Sequence, residues 1–241
     1  MEGNVMGRMV SYVGAGGKTS SILEEVVRLY QMRKRVIVTT TTHMKQPERI
    51  PEGTNRLTEC AEEAANLLEN GGIVWYGHPC AENKFKGPLP DEWEILCRLA
   101  EVVLVEADGS KRLPVKVPAD FEPVIPDKTS KIIVVMGLSG LGKPIGKVCH
   151  RLPLVLALLK KQESELLAEE DYVRILWKGY LEPLQKKFPD CEWEVYLNQV
   201  KSPQLFQAAE QIKRRLYQID GLKDCPVRMV DYERALEKPE V

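Results

Sequence analysis

No run of about 18 consecutive apolar residues occurs in this chain, so no segment has the length and hydropathy of a membrane-spanning helix. None of the six cysteines, at positions 60, 80, 97, 149, 191 and 225, stands in a C-x-x-C pair. That excludes zinc-knuckle spacing and gives no disulfide framework; a reducing cytoplasm is the expected home. Neither sign of charge dominates: the net charge is −1 with 29% charged residues. There is no basic excess to argue for nucleic acid, and no acidic tail. The opening Met1, Glu2, Gly3 and Asn4 lack a basic cluster followed by an apolar block, so no signal peptide is expected. Repeats and low-complexity segments are missing too. The 241 residues suffice for one large α/β domain with a well-buried core, and that single domain is the expectation for 1–241.

One stretch stands out against these absences. An apolar segment, Val10-Ser11-Tyr12-Val13, runs into Gly14, Ala15, Gly16, Gly17, Lys18, Thr19 and Ser20. Glycines allow a sharp turn and leave room for an anion. The exposed N–H groups and the positive end of a following helix then face it. Lys18 would reach β- and γ-phosphates, and the Thr19 hydroxyl would hold Mg²⁺. The pattern is shorter than G-x-x-x-x-G-K-[ST], whose first glycine would fall at Tyr12. A plain glycine-rich strand-to-helix turn would explain the glycines but not the Lys-Thr pair. Beyond it, Ile22, Leu23, Val26, Val27, Leu29 and Tyr30 draw one face of a helix.

Strand and helix signals alternate. Strands are predicted near 9–13, 36–40, 73–76, 102–106, 131–136, 193–197 and 227–230, several as continuous β-branched runs suited to burial on both faces. Thr58 is a candidate cap for a helix that Asn70, Gly71 and Gly72 would end. Asp91 and Glu94 open another, with Ile95, Leu96 and Leu99 inward. Ser202 and Pro203 start a third, with Leu205, Ala209, Ile212 and Leu216 as its buried stripe. The order implies a three-layer α/β fold with a doubly wound, mostly parallel sheet and ligands at the strand carboxyl ends. Residues 109–130, with four prolines, read as a long ordered loop, and 154–180 as a helical insertion or lid.

Chemistry-bearing residues gather at predicted strand ends. Val102–105 delivers Glu106 and Asp108, either of which suits Mg²⁺ and its waters; a helix cap or turn is the plain alternative. Thr39, Thr40, Thr41 and Thr42 follow a second strand, and Thr40 is the candidate for positioning water or acceptor. Plain β-propensity is the alternative, and it covers Thr39 and Thr40 better than Thr41 and Thr42. Lys111, Arg112 and Lys116 suit phosphate charge or an anionic substrate, although exposed loop cations are common. Asn198-Gln199-Val200-Lys201 sits where N-K-x-D reads guanine but lacks the acidic acceptor, leaving Asn198 as a base-pocket candidate without guanine selectivity or as a chain turn. A second glycine loop, 137–144, fits G-x-x-x-x-G-K but continues with Pro144, and reads as a wall of the site. His43, His78, Cys80, Cys149 and His150 form a minor metal or selenium candidate.

The set V-G-A-G-G-K-T-S, T-T-T-T-H, E-A-D-G-S-K-R-L-P-V-K-V-P, E-P-V-I-P and G-L-S-G-L-G-K-P with a later H-R resembles the YqeC-like family of selenium-dependent molybdenum hydroxylase accessory proteins, over most of residues 10–200. The short loop is also similar to that of metallochaperone GTPases and of ATP-dependent ligases of the dethiobiotin-synthetase kind. The resemblance implies a P-loop-type nucleotide-binding protein using Mg²⁺ with ATP or GTP. Its nucleotide residues would be Gly14, Gly16, Gly17, Lys18 and Thr19, with Glu106 or Asp108 as acidic partner. Expected partners are a molybdenum hydroxylase or its cofactor-maturation proteins, with a homodimer as one expected assembly. A small-molecule kinase or ligase, and a nucleotide sensor without catalysis, are the competing classes.

Overall fold

β-Branched runs form the middle of the molecule because they tolerate burial on both faces of a sheet. In the computed structural model, which describes residues 6–45, 56–69, 71–81 and 83–231, thirteen strands occur among the described residues. They are β1 (Arg8–Gly14), β2 (Arg35–Thr40), β3 (His43–Lys45), β4 (Leu57–Thr58), β5 (Gly72–Tyr76), β6 (His78–Ala81), β7 (Lys84–Lys86), β8 (Val102–Glu106), β9 (Val115–Lys116), β10 (Thr129–Gly137), β11 (Cys149–His150), β12 (Glu192–Asn198) and β13 (Val227–Met229). Eight of them make one sheet in the order β13-β12-β10-β1-β8-β2-β5-β4. The registered neighbours β1–β8, β2–β8, β2–β5, β4–β5 and β12–β13 all run parallel. The architecture is therefore the expected three-layer α/β fold with a mostly parallel sheet. Met9, Val13, Val36, Ile37, Val38, Val103 and Val134 are fully buried in it.

The helices are α1 (Lys18–Gln31), α2 (Ala61–Leu68), α3 (Glu92–Leu99), α4 (Ile145–Val148), α5 (Leu152–Leu159), α6 (Glu169–Arg174), α7 (Glu182–Lys187) and α8 (Pro203–Leu216), with a π-helical stretch Ile175–Leu181 joining α6 to α7. Ser202 caps α8 as expected, its hydroxyl accepting from Leu205 N at 3.2 Å. Ile22, Leu23, Val26 and Leu29 of α1 are buried, while Tyr30 turns outward. Thr58 does not cap α2: it ends β4, and its hydroxyl accepts from Cys60 N at 3.0 Å, so the helix starts two residues later. Ile95 is exposed because Leu96, Cys97 and Ala100 take the inward face of α3. The 154–180 region is not one helix. Lys160 takes a left-handed conformation at the end of α5, and Asp171 opens α6 by accepting from Ala168 N at 2.8 Å. The readings of Met1, Glu2, Gly3, Asn4 and Asn70 lie outside the described residues. Among the described residues no helix is long and apolar enough to cross a membrane.

Two compact units divide the chain. The first comprises Met1–Tyr12, Ser21–Gly109 and Val124–Lys131; the second comprises Val13–Ser20, Ser110–Pro123 and Ile132–Val241. In the first, β1 and β2 flank β8, so Tyr12 and Thr40 both pair with Glu106 at the strand carboxyl ends. A small antiparallel sheet, β3-β7-β6, was not foreseen, because its strands have only three or four residues.

His78, at the start of β6, is held between two carboxylates, with Nδ1 3.0 Å from Glu59 and Nε2 2.9 Å from Glu92. Tyr76 donates to the same Glu92 at 2.7 Å. The hydrogen bond to Glu92 raises the His78 pKa above its ordinary value; burial works against it, and Glu59 adds to the rise. A raised value in the folded state means that this stability is fully present below the unfolded histidine's pKa and is lost as pH climbs through the folded one. Urea midpoints should therefore fall across the alkaline side of the histidine range, and His78→Gln should flatten that fall. Identical pH profiles for the two proteins would refute it.

Candidate functional site

The glycine loop belongs to the second unit and is shaped by close approach of backbone to backbone. Ala15 N donates to Val135 O at 2.8 Å, so this amide is committed to β10. Gly16 has φ of 79°, and a Cβ there would lie 2.4 Å from Gly137 N and 2.7 Å from Pro114 O. Gly17 has φ of 123°, and its Cβ would lie 1.9 Å from Asn198 Nδ2. Only glycine fits such a combination of positive φ and missing space. Asn198 is buried at the end of β12; its Nδ2 donates to Gly16 O at 2.9 Å, and its Oδ1 accepts from Gln199 N at 2.7 Å. The side chain weighed as a base contact is thus a brace for the loop.

Lys18 is the first residue of α1 and is 4% exposed. Its Nζ donates to Gly14 O at 2.7 Å, folding the ammonium over the start of the loop. Thr19 and Ser20 follow in the first helical turn, half-buried. The second glycine loop is tied to neighbouring segments. Gly137 N donates to Pro114 O at 2.9 Å, Tyr172 donates to Gly137 O at 3.0 Å, and Ser139 reaches Gln199.

Thr39, Thr40, Glu106 and Asp108 lie in the first unit. Thr40 donates to Glu106 O at 2.8 Å and accepts from Thr42 N at 3.0 Å, which locks the strand end. Thr39 donates to Tyr76 O at 2.7 Å. Ala107 N donates to Tyr12 O just past the end of β8, and the next residue, Asp108, is fully buried. Glu106 and Asp108 offer oxygen donors only, the hard kind that Mg²⁺ takes, usually as one or two carboxylates plus phosphate. Among the described residues no three His, Cys, Asp or Glu side chains form a metal-holding group. His43, His78, Cys80, Cys149 and His150 are therefore not brought together as one.

Sequence reasoning missed a charged network in the second unit. Lys116 is fully buried, with Nζ 3.0 Å from Glu122; Arg151 meets the same carboxylate at 3.0 and 3.2 Å. Burial pushes Glu122 upward, but hydrogen bonds from Arg151, Lys116 and Ala119 N outweigh it and bring its pKa to about 2. The three residues lie 35 positions or fewer apart, yet no motif spacing joins them; pairing of β9 with β11 does.

An α/β chain with a braced glycine turn between its first strand and a lysine-led helix is the class that the geometry defines. The chain belongs to the YqeC family, whose model, described as YqeC protein, matches residues 10–153. It is similar to "Uncharacterized protein YqeC" of Escherichia coli (strain K12), at 34% identity over 143 residues. That alignment covers 57% of this chain and 54% of the relative, so the chain spans about half the length of the curated relative it matches.

The brace makes a measurable coupling. Asn198→Ala removes a buried hydrogen bond and should cost about 1–3 kcal/mol. Gly17→Ala should cost a similar amount through clash and backbone strain, about 1–3 kcal/mol. The double variant should lose clearly less than the sum in urea unfolding, because the alanine at 198 vacates the space that the Cβ at 17 needs. Strict additivity would refute direct packing.

Proposed function

We propose that this chain binds a Mg²⁺–nucleoside triphosphate, ATP or GTP, at residues 14–20 and serves in the cytoplasm as an accessory protein for maturation of a selenium-dependent molybdenum hydroxylase. The observation that carries the nucleotide half is the turn between β1 and α1. Three of its residues, Gly14, Gly16 and Gly17, have positive φ, and a buried lysine follows them at the helix N-terminus. Membership of the YqeC family and the motif set read from the sequence support the maturation half.

In this reading, loop amides beyond Ala15 and the Lys18 ammonium hold the phosphates, with Lys18 exchanging Gly14 O for phosphate oxygens. Thr19 and Glu106 or Asp108 hold Mg²⁺, whose contribution when bound is to offset phosphate charge. Thr40 fixes the strand end beside Glu106. Catalysis would then consist of positioning and charge stabilisation.

One observation favours a second reading, an ATP-dependent kinase or ligase with a small anionic acceptor: the Lys116–Glu122–Arg151 network. Turnover strictly dependent on a small anion selects it; turnover stimulated by a partner protein selects the accessory role.

Lys18→Ala should abolish ATP and GTP binding in calorimetry while circular dichroism stays native. Unchanged affinity would overturn the phosphate assignment. Asp108→Asn or Glu106→Gln should lower Mg²⁺-dependent affinity by about tenfold or more; if neither does, the acidic pair has no part in metal binding.

A further inference from the structure

We propose that a cleft lined by α6, the π-helical stretch Ile175–Leu181 and the end of α8 binds a small planar aromatic carboxylate. The cleft holds about 320 Å³, at the lower end of the range of about 300–1,000 Å³ that small-molecule sites occupy. A space of that size suits one ring or two fused rings. Its first wall follows from the sequence. Glu170, Val173, Arg174, Trp177 and Lys178 stand at i, i+3, i+4, i+7 and i+8, the spacing of one continuous helix face. A solvent-facing helix face is ordinarily polar; here Val173 and Trp177 stand half-buried within it. The facing wall is Arg215 near the end of α8 and Ile219 one turn later, whose N–H donates to Leu216 O at 3.0 Å. An indole beside two branched aliphatic side chains offers a flat apolar surface on which another ring can stack.

The backbone is unusual at the same place. Seven residues, Ile175–Leu181, are π-helical. π-Helical turns are rare and gather at functional sites. The core claims Ile175, Leu176, Tyr180 and Leu181 of this stretch, while Trp177 and Lys178 line the cleft.

The cations of the cleft differ in what already holds them. Lys178 is bound to Glu182 at 2.9 Å, and its Nζ lies 5.6 Å from the centroid of the Trp177 ring. Arg215 lies 3.9 Å from Glu170. The Arg174 side chain enters no ion pair, hydrogen bond or ring contact among the described residues. A guanidinium presents a planar fork of donors that matches a carboxylate. One uncommitted guanidinium beside an apolar surface that carries an indole therefore selects a flat ring bearing one carboxylate.

Every residue of the cleft lies beyond residue 153, outside the segment that the family model matches. None belongs to the glycine loop, so the site stands apart from the nucleotide reading.

The test is a titration with 2-naphthoate, read by calorimetry and by the indole N–H signals in ¹H–¹⁵N spectra, where Trp177→Phe assigns Trp177 among the four tryptophans. The Trp177 signal should shift to saturation while the others stay in place. Arg174→Gln, a change at an exposed position, should weaken 2-naphthoate binding by about tenfold or more. 2-Naphthalenemethanol has the same rings without the carboxylate and should bind about tenfold more weakly than the acid. Acetate, a carboxylate without the rings, should leave Trp177 unmoved. Lys18→Ala should bind 2-naphthoate as wild type does, which separates this site from the nucleotide loop. The proposal is overturned if calorimetry detects no 2-naphthoate binding, if the shift falls on another tryptophan, if the alcohol matches the acid, if acetate moves Trp177, if Arg174→Gln binds as wild type does, or if Lys18→Ala abolishes the response.

Discussion

One side-chain amide governs the shape of the glycine loop. Asn198 reaches across 182 positions of sequence to donate to Gly16 O, and the space it occupies is the space a side chain at 17 would need. Gly16 is closed in from the other side by Gly137 and Pro114 O. Three remote segments, ending β10, β12 and the 110–114 turn, thus fix a turn that looks local in the sequence. A buried carbonyl left without the Asn198 donor would carry its full desolvation penalty, so the interaction constrains β12 as firmly as it constrains the loop.

That constraint changes what the glycines mean. A glycine-rich turn after a strand admits two causes, the approach of a ligand or the approach of the protein's own backbone. For Gly16 and Gly17 the second cause is sufficient, since the clashes are with main chain and Asn198. The argument for a phosphate therefore passes from the glycines to Lys18.

Most of the sheet was legible because its strands are long and β-branched. The seven predicted strands all appear, displaced by no more than two residues at either end. What escaped were β3, β4, β6, β7, β9 and β11, each with two to four residues, too short for periodicity to show. Thr58 misled because a β-branched residue that could cap a helix can equally end a strand. The same limit applies to the site. Gly14, Lys18 and Thr19 announce themselves by adjacency. The brace by Asn198 is a side-chain bond across 182 positions, and the alignment of Lys116 with His150 is a pairing of strands of two residues; no local pattern encodes either.

The electrostatics of helix starts carry the remaining argument. An α-helix N-terminus favours negative charge and disfavours a cation there by some tenths to about 1 kcal/mol. α2, α3 and α6 obey this, with Glu62 and Glu63, Glu92 and Glu94, and Glu169, Glu170 and Asp171 in their first turns. α1 does the opposite: it has no acidic residue in its first turn and begins with a lysine, 4% exposed, beneath a turn of positive-φ glycines. Burying an ammonium is costly even when a carbonyl receives it. A cation at a positive helix end and its removal from water are both offset when an anion of high charge lies in front of them, and that is the physical ground of the nucleotide proposal.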